Sequence, residues 1–238
     1  MSGNIVISQS MYFPWPGMLE QMRLADVFVH YDDVQYSRGS FSNRVQVKGA
    51  HGISWLTLPL RDFHFGQLID EVALDERSDW RSRHRDILRQ NYLKAPFRGD
   101  MLALVDRVFS QEANTVADIS RQSMLALAAY FQLDRPQYVS SRDLPIDGAS
   151  SERVCDIVRH LGGTAYITGH GARNYLNHAL FEENGISVGY MHYLKTPYPQ
   201  LHGDFTPYVT ALDLVANCGP NGADMLSSGT IDWKEFTQ

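Results

Sequence analysis

The stretch that decides the fold is residues 5–31, IVISQSMYFPWPGMLEQMRLADVFVHY. Residues 5–8 form a short apolar run that is typical of a buried strand, residues 18–24 predict a short helix, and residues 27–31 predict a second strand. A strand, a helix and a strand in this order favour parallel pairing of the two strands. The opening of the chain therefore predicts an α/β fold.

The alternation of strands and helices is interrupted in the middle of the chain and then resumes. β-branched and aromatic residues alternate on both sides of a glycine-containing turn at residues 49–52, which predicts an antiparallel hairpin. The further predicted elements are helices over residues 80–93, 99–109 and 116–131, a helix over 151–161, a strand over 165–168, a helix over 172–183 and a strand over 187–193. We predict a Rossmann-like, mostly parallel sheet flanked by helices, with a β-hairpin and a helical insertion in the middle.

The chain of 238 residues is predicted to form a single domain over residues 1–238. No repeat, charge block or long flexible linker divides it. If the chain has a domain boundary, we expect it at the joint formed by residues 140–151, SSRDLPIDGASS, where Pro145 and Gly148 are typical of turns.

The amino-acid composition limits the kinds of molecule that the protein is expected to bind. The net charge of −6 argues against nucleic acid and against anionic membranes, both of which favour a basic face. Only two cysteines occur, Cys155 and Cys218, which favours a reducing compartment and excludes a four-cysteine zinc site. With neither a signal-peptide pattern nor a transmembrane stretch, we expect a cytoplasmic protein that does not insert into membranes.

The loop at residues 9–17, QSMYFPWPG, directly follows the first predicted strand. Its two prolines stiffen a backbone that carries three aromatic rings. We expect Tyr12 and Trp15 to stack on a substrate or to wall its site, because ligands of α/β sheets sit beyond the carboxyl ends of strands. The alternative, for each aromatic residue taken singly, is that its ring only fills the hydrophobic core.

The stretch at residues 31–44, YDDVQYSRGSFSNR, follows the second predicted strand and is dense in polar groups. Asp32 and Asp33 point to opposite faces if the strand continues, so that one faces a ligand while the other pairs or caps. The alternative is a solvated loop in which Arg38 pairs with an aspartate.

The helix predicted from Trp80 brings His84 to its apolar face. Partial burial there would keep the imidazole neutral, which makes His84 the best candidate general base, with a structural core histidine as the alternative. Repulsion between like charges on the same helix suggests a nearby anion, either a diphosphate or the surface of an acidic carrier protein; a solvated basic face is the alternative. The positive residues are Arg81, Arg83, Arg85, Arg89 and Lys94.

Two weaker patterns complete the candidates. The turn at residues 168–173, TGHGAR, could place the backbone N–H of Gly169 against a phosphate or carboxylate at a helix N-terminus. The histidines and cysteines show no spacing that is typical of a metal site, so no metal is expected.

Six segments, taken in order, resemble the WbqC-like family of bacterial proteins. They are QSMYFPWPG, ADVFVHYDDVQYSRGSFSNR, WLTLPL, HRDILRQNYLKAPF, TAYITGHGARNYL and ALDLVANCG. The resemblance spans nearly the whole chain, and its first two segments are the specific ones. Carried onto this sequence, the family's pattern falls on Gln9, Tyr12, Pro14, Trp15, Gly17, Asp32, Asp33, Val34, Gln35, Asn43, Arg44, His84 and Tyr92. The sequence departs from the family at His170, a position that another residue usually occupies, so the resemblance does not imply a family-wide catalytic role for His170.

The resemblance implies transfer of a glycyl or related acyl group to an amino sugar in surface-polysaccharide or natural-product assembly. We expect an amine to attack an activated thioester, with Asp33 or His84 as the base and with Asn43, Arg44 and Gln35 as donors to an oxyanion or phosphate. No cofactor is required in this scheme, and a phosphopantetheine or coenzyme A thioester is the candidate co-substrate. The alternatives are an ATP-dependent nucleotidyl transferase or ligase, and a non-catalytic module that binds a sugar nucleotide or carrier protein. The oligomeric state is left open.

Overall fold

The computed structural model describes residues 3–133 and 135–236. The strands, in chain order, are β1 (Asn4–Ser8), β2 (Val27–His30), β3 (Arg44–Gly49), β4 (Gly52–Thr57), β5 (Gln137–Ser140), β6 (Ala165–Thr168), β7 (Ser187–His192) and β8 (Gly229–Asp232). The α-helices are α1 (Pro16–Leu24), α2 (Trp80–Asn91), α3 (Arg98–Phe109), α4 (Val116–Tyr130), α5 (Ser150–His160), α6 (His178–Glu183), α7 (Ala211–Cys218) and α8 (Trp233–Phe236). None of the helices described is both long enough and apolar enough to cross a membrane.

Six strands form one sheet in the order β5-β2-β1-β6-β7-β8, and β3 and β4 form a separate antiparallel hairpin. The first five strands of that order are parallel, and β8 closes the sheet antiparallel to β7. The predicted α/β class, the mostly parallel sheet, the hairpin and the helical stretch from α2 to α4 are confirmed.

The apolar run of β1 is buried on both of its faces. Ile5 and Ile7 pack in a cluster that includes Phe181 of α6, whereas Val6 packs in a second cluster that includes Leu19 of α1. Successive side chains of a strand point to opposite faces, so a strand between two helical layers needs apolar residues throughout.

One predicted helix differs from the structure. The helix expected over residues 172–183 is divided into a 3-10 helix at His170–Asn174 and the short α6. Asn177 caps α6, because its side chain accepts a hydrogen bond from the Leu180 backbone N–H at 3.3 Å. An asparagine that bonds the backbone in this way starts a new helix rather than continuing one.

The sheet changes direction between β1 and β6. From β1 the chain proceeds outward through β2 to β5 on one side, and from β6 it proceeds to β7 on the other. The loops that leave β1 and β6 therefore diverge and open a crevice at the carboxyl ends of these strands, which is where open α/β sheets bind ligands.

Residues 140–151, the predicted soft joint, connect β5 to α5. The strands on the two sides of this segment belong to one sheet, since β6 lies directly beside β1. The hydroxyl oxygen of Ser141 also lies 3.0 Å from the backbone carbonyl oxygen of His30, at the end of β2. Contacts of this segment with the end of β2 thus connect it to the N-terminal strands.

Candidate functional site

A cavity of about 1070 Å³ lies at the carboxyl ends of the parallel strands. Its lining includes Ser8 at the end of β1, Tyr31 just after β2, Thr168 at the end of β6 and Met191 of β7. This is the crevice that the change of direction in the sheet opens. Its volume is at the upper end of the range that small-molecule sites occupy.

Three aromatic rings form one wall of the cavity. The ring of Trp15 lies 5.5 Å from that of Tyr193 in an edge contact and 6.1 Å from that of Tyr208. Trp15 folds back over Gly17, where a Cβ atom would meet the indole at 2.1 Å. Only glycine leaves room for this position of the ring, so Gly17 is required for the wall to form.

Asp33 holds a negative charge at the cavity. It accepts hydrogen bonds from the guanidinium of Arg153 and from the hydroxyl of Ser141, both at 2.5 Å. Burial raises the pKa of Asp33, but these donors outweigh that effect and the net pKa is lowered. Arg153 also lies 5.0 Å over the ring of Tyr31. Asp33 is therefore an oriented carboxylate at neutral pH rather than a strong base.

The turn after β6 brings His170 to the cavity. The imidazole Nε2 lies 2.9 Å from the backbone carbonyl of Met191. A carbonyl oxygen only accepts hydrogen bonds, so Nε2 must donate its proton, and in the neutral ring Nδ1 is then the acceptor. His170 can thus take up a proton without breaking the hydrogen bond that orients it.

The amide of Gln21 lies against the backbone of the same turn. A Cβ atom on Gly169 would meet the Gln21 Nε2 at 2.8 Å. Gln21 is 8% exposed and lines the cavity from α1. The turn and α1 therefore meet closely enough to place an amide donor beside His170.

Lys195 supplies a positive charge to the lining. Its ammonium donates a hydrogen bond of 2.9 Å to the hydroxyl of Tyr208 and lies 5.1 Å from the centre of that ring. The cavity thus combines a carboxylate, an ammonium, an imidazole and several aromatic faces.

Five of the predicted site residues line this cavity. They are Gln9, Trp15, Asp33, Gln35 and Gly169. All five lie in or directly after loops that leave β1, β2 and β6, as the rule for parallel sheets predicts.

Tyr12 and His84 lie elsewhere. Both are buried, and the Tyr12 hydroxyl lies 2.9 Å from His84 Nδ1. Burial, with a contribution from Arg83, lowers the pKa of His84 to about 4, and burial raises the pKa of Tyr12 well above its usual value. The predictions that Tyr12 contacts a substrate and that His84 is the general base are corrected, because neither residue lines the cavity. The pair instead connects the aromatic loop to α2 inside the core.

Asp32 and Tyr92 also have internal partners. Asp32 is fully buried and accepts hydrogen bonds from the Ser10 backbone N–H at 2.8 Å and from Arg121 at 2.6 Å. The buried Tyr92 hydroxyl donates to Asp213 at 2.9 Å. Neither residue lines the cavity, so their expected contacts with substrate are corrected to structural ones. β2 ends at His30, so the strand does not continue through the two aspartates, and both of them pair: Asp32 with Arg121 and Asp33 with Arg153.

Asn43 and Arg44 line a second, smaller cavity of about 500 Å³. The expectation that they converge with Trp15, Asp33 and His84 on one pocket is therefore wrong. The hairpin begins at Arg44, and this strand leaves the main sheet, which carries both side chains away from the carboxyl ends of β1 and β2.

The arginines of α2 are mostly paired within the chain. Arg81 forms a salt bridge with Glu76, Arg85 with Asp106 at 2.6 Å, and Arg89 with Asp86 at 3.1 Å. Carboxylates of the chain thus relieve the repulsion that suggested an external anion at this helix.

Sequence reasoning missed the cavity residues that follow β7 and assigned no role to His170. Tyr193, Lys195 and Tyr208 come from the long irregular segment between β7 and α7, which has no periodic pattern. The signal that could have found His170 is its position one residue after a glycine at the end of a parallel strand.

The fold and the cavity define a doubly wound α/β protein with a small-molecule-sized cavity at the switch point of its sheet. The chain belongs to the WbqC-like protein family, whose model matches residues 9–225. It is 30% identical over 226 residues to the uncharacterized protein Rv1507c of Mycobacterium tuberculosis, a match that covers 94% of this chain and 97% of that protein. No solved structure matches the chain.

Proposed function

We propose that this protein transfers an acyl or aminoacyl group, such as glycyl, from a thioester to the amino group of an amino sugar or related amine. The observation that carries the proposal is the cavity at the switch point, which combines aromatic walls, a fixed carboxylate and the oriented imidazole of His170. Its volume of about 1070 Å³ accommodates two reacting groups side by side, as direct transfer requires.

The amine must lose a proton in this reaction. In the proposed mechanism His170 Nδ1 accepts that proton, while Nε2 keeps its bond to Met191. The amine nitrogen attacks the thioester carbonyl carbon, a C–N bond forms, and the carbonyl electrons move to oxygen. Collapse of this intermediate breaks the C–S bond, and the thiolate leaves and takes up a proton.

Two amides are suited to the oxyanion. Gln9 and Gln21 both line the cavity, and Gln21 lies against the turn that carries His170. Amide N–H groups held in place before reaction stabilise the developing negative charge without reorganisation. Asp33 is suited to accept hydrogen bonds from the ammonium or hydroxyl groups of the acceptor, because its carboxylate is already oriented by Arg153.

A covalent intermediate on cysteine has no support in this site. Neither Cys155 nor Cys218 is among the residues that line the cavity, and burial raises the pKa of both thiols. A thiol with a raised pKa is a poor nucleophile at neutral pH. The proposal is therefore direct transfer between two bound substrates.

The proposal predicts that His170→Asn loses amide formation by about 10²-fold, since the base is removed and the polar size is kept. The assay supplies glycyl-coenzyme A or a glycyl-loaded carrier protein together with a UDP-linked amino sugar, and mass spectrometry detects the amide. His160→Asn is the matched control, because His160 is exposed at the end of α5 and lies outside the cavity.

Separate reactions with and without ATP distinguish the alternatives. Amide formed without ATP supports acyl transfer, whereas product or pyrophosphate that appears only with ATP would replace it by a ligase or nucleotidyl transferase. Binding of the amino sugar without turnover under either condition would point to a binding module. Full activity of His170→Asn would remove His170 from the mechanism.

A further inference from the structure

The second cavity, of about 500 Å³, lies next to the first and differs from it in the charge of its lining residues. The segment at residues 35–44 separates the two: Gln35 lines the large cavity and Tyr36 lines the small one. Phe41 of the large cavity lies 6.0 Å from the ring of Trp55, and Arg44 of the small cavity lies 4.3 Å over the same ring.

Two arginines of the small cavity lack an anionic partner. Arg38 and Arg44 both line it, and neither forms a salt bridge with any residue that the structure describes. No aspartate or glutamate is among the described residues that line it. Many other arginines of this acidic protein are paired, among them Arg121 with Asp32 and Arg153 with Asp33. Other arginines, such as Arg61 and Arg83, also form no salt bridge with a described residue. What distinguishes Arg38 and Arg44 is that they lie together at one small cavity with no carboxylate among its described lining residues.

Buried polar atoms at the same cavity are also unpartnered. The Nε of Arg44 and the Oδ1 of Asn43 are buried and have no hydrogen-bond partner among the residues that the structure describes. Asn43 is only 5% exposed, and its other amide atom, Nδ2, donates to the Leu58 carbonyl at 3.3 Å, which fixes the orientation of the amide. A buried polar atom without a hydrogen-bond partner destabilises the structure, so a ligand that pairs such atoms gains affinity.

Aromatic rings hold the two guanidinium groups in place. Arg38 lies 5.2 Å over the ring of Phe63, and Arg44 stacks on Trp55. Gly39 adopts a φ of +76°, and a Cβ atom there would lie 3.1 Å from the Arg44 guanidinium. The turn thus requires glycine for its backbone and leaves room for Arg44. Arginines that are oriented before binding lose less entropy when a ligand arrives.

We propose that this cavity is a binding site for a phosphate ester that carries a hydroxyl or N–H donor next to the phosphate. Arg38 and Arg44 would hold the phosphate, whose double negative charge matches two guanidinium groups, and Asn43 Oδ1 would accept the neighbouring donor. This site does not rest on the proposed acyl transfer, since it shares no lining residue with the large cavity.

Calorimetric titration of the purified chain at low salt tests this site. The probes are glycerol 3-phosphate, adenosine 3′,5′-bisphosphate and inorganic phosphate. We expect glycerol 3-phosphate to bind more tightly than inorganic phosphate, and the double variant Arg38→Gln/Arg44→Gln to lose at least about tenfold in affinity. Tighter binding of the bisphosphate would identify the nucleotide end of coenzyme A as the source of the phosphate, and tighter binding of glycerol 3-phosphate a phosphorylated polyol or sugar.

Two control variants test whether the phosphate esters bind at the small cavity. Arg61→Gln removes an exposed arginine of the same region that lies outside both cavities, and it should change the affinity less than about twofold. His170→Asn should bind the phosphate esters like the wild type, which separates this site from the proposed transfer. Circular dichroism verifies that each variant is folded. Failure of both esters to bind, or equal affinity in the double variant and the wild type, would overturn the proposal.

Discussion

His84 and His30 show how burial sets the charge of single residues in this fold. Burial lowers the pKa of His84 to about 4 and that of His30 to about 3, with the positive charges of Arg83 and Arg121 as second causes. Both imidazoles are neutral at pH 7, and each is within hydrogen-bond distance of a hydroxyl: Tyr12 for His84 and Ser10 for His30. They stabilise the core only while they remain neutral.

This leads to a prediction for His84→Gln. The folded pKa of about 4 lies below the unfolded value of about 6.5, so protons bind the unfolded state first as the pH falls. The stability that His84 contributes is complete above about pH 6.5 and is lost as the pH falls toward 4. We expect the difference in unfolding free energy between the wild type and the variant to shrink by about 2 kcal/mol from pH 7 to pH 5, measured by urea denaturation.

The same experiment has a control at the exposed His51, in the hairpin turn. Replacing His51 by glutamine should leave the pH dependence of stability as it is in the wild type. If the wild type and His84→Gln lose stability in parallel between pH 7 and pH 5, the histidine is not held neutral by the core.

At the scale of elements, the start of α1 determines one wall of the large cavity. Trp15 precedes the helix, Pro16 provides a first helical residue that needs no N–H partner, and Gly17 leaves space for the indole. This constrained loop places the ring of Trp15 against Tyr193 and Tyr208. The sequence Pro-Trp-Pro-Gly at residues 14–17 thus places Trp15 in the aromatic wall.

Gly17→Ala tests this explanation. The added methyl group would overlap the Trp15 ring, which must rotate away from the wall. We expect a red shift in tryptophan emission, because the ring becomes more exposed, with the far-ultraviolet circular dichroism unchanged. Gly99→Ala is the control in α3: nothing lies near its Cβ position, so it should stabilise the fold by about 0.5 kcal/mol and leave the emission unchanged. An unchanged emission spectrum for Gly17→Ala would contradict the packing.

At the scale of the whole molecule, ion pairs connect the two halves of the chain across the sheet. Asp33 follows β2, and its partner Arg153 lies on α5. The side chain of Asp33 is 11% exposed and that of Arg153 is 9% exposed, so the pair is largely buried. Removing one partner would leave an uncompensated buried charge. The pairing of β6 with β1 connects the halves through the backbone as well.

Because these contacts join the two halves of the chain, an unfolding experiment tests the prediction of a single domain. We expect one cooperative unfolding transition, with the same midpoint by circular dichroism and by tryptophan fluorescence, because neither half contains a complete sheet. Separate transitions for the two probes would indicate that the segment at residues 140–151 is a true domain boundary.

The sequence by itself determined the α/β class, the hairpin and the helical insertion, since each depends on a local pattern of apolar residues. It also located Gln9, Trp15, Asp33, Gln35 and Gly169, because the carboxyl ends of parallel strands can be read from the order of elements.

Only the tertiary structure decided that the remaining candidates do not line the large cavity. Spacing along the chain does not say that Tyr12 and His84 meet each other in the core, that β3 carries Asn43 and Arg44 to a separate cavity, or that Tyr193 and Lys195 return to the large one. These outcomes depend on contacts between residues far apart in sequence. A local pattern does not encode such contacts, because they arise from the packing of the whole chain.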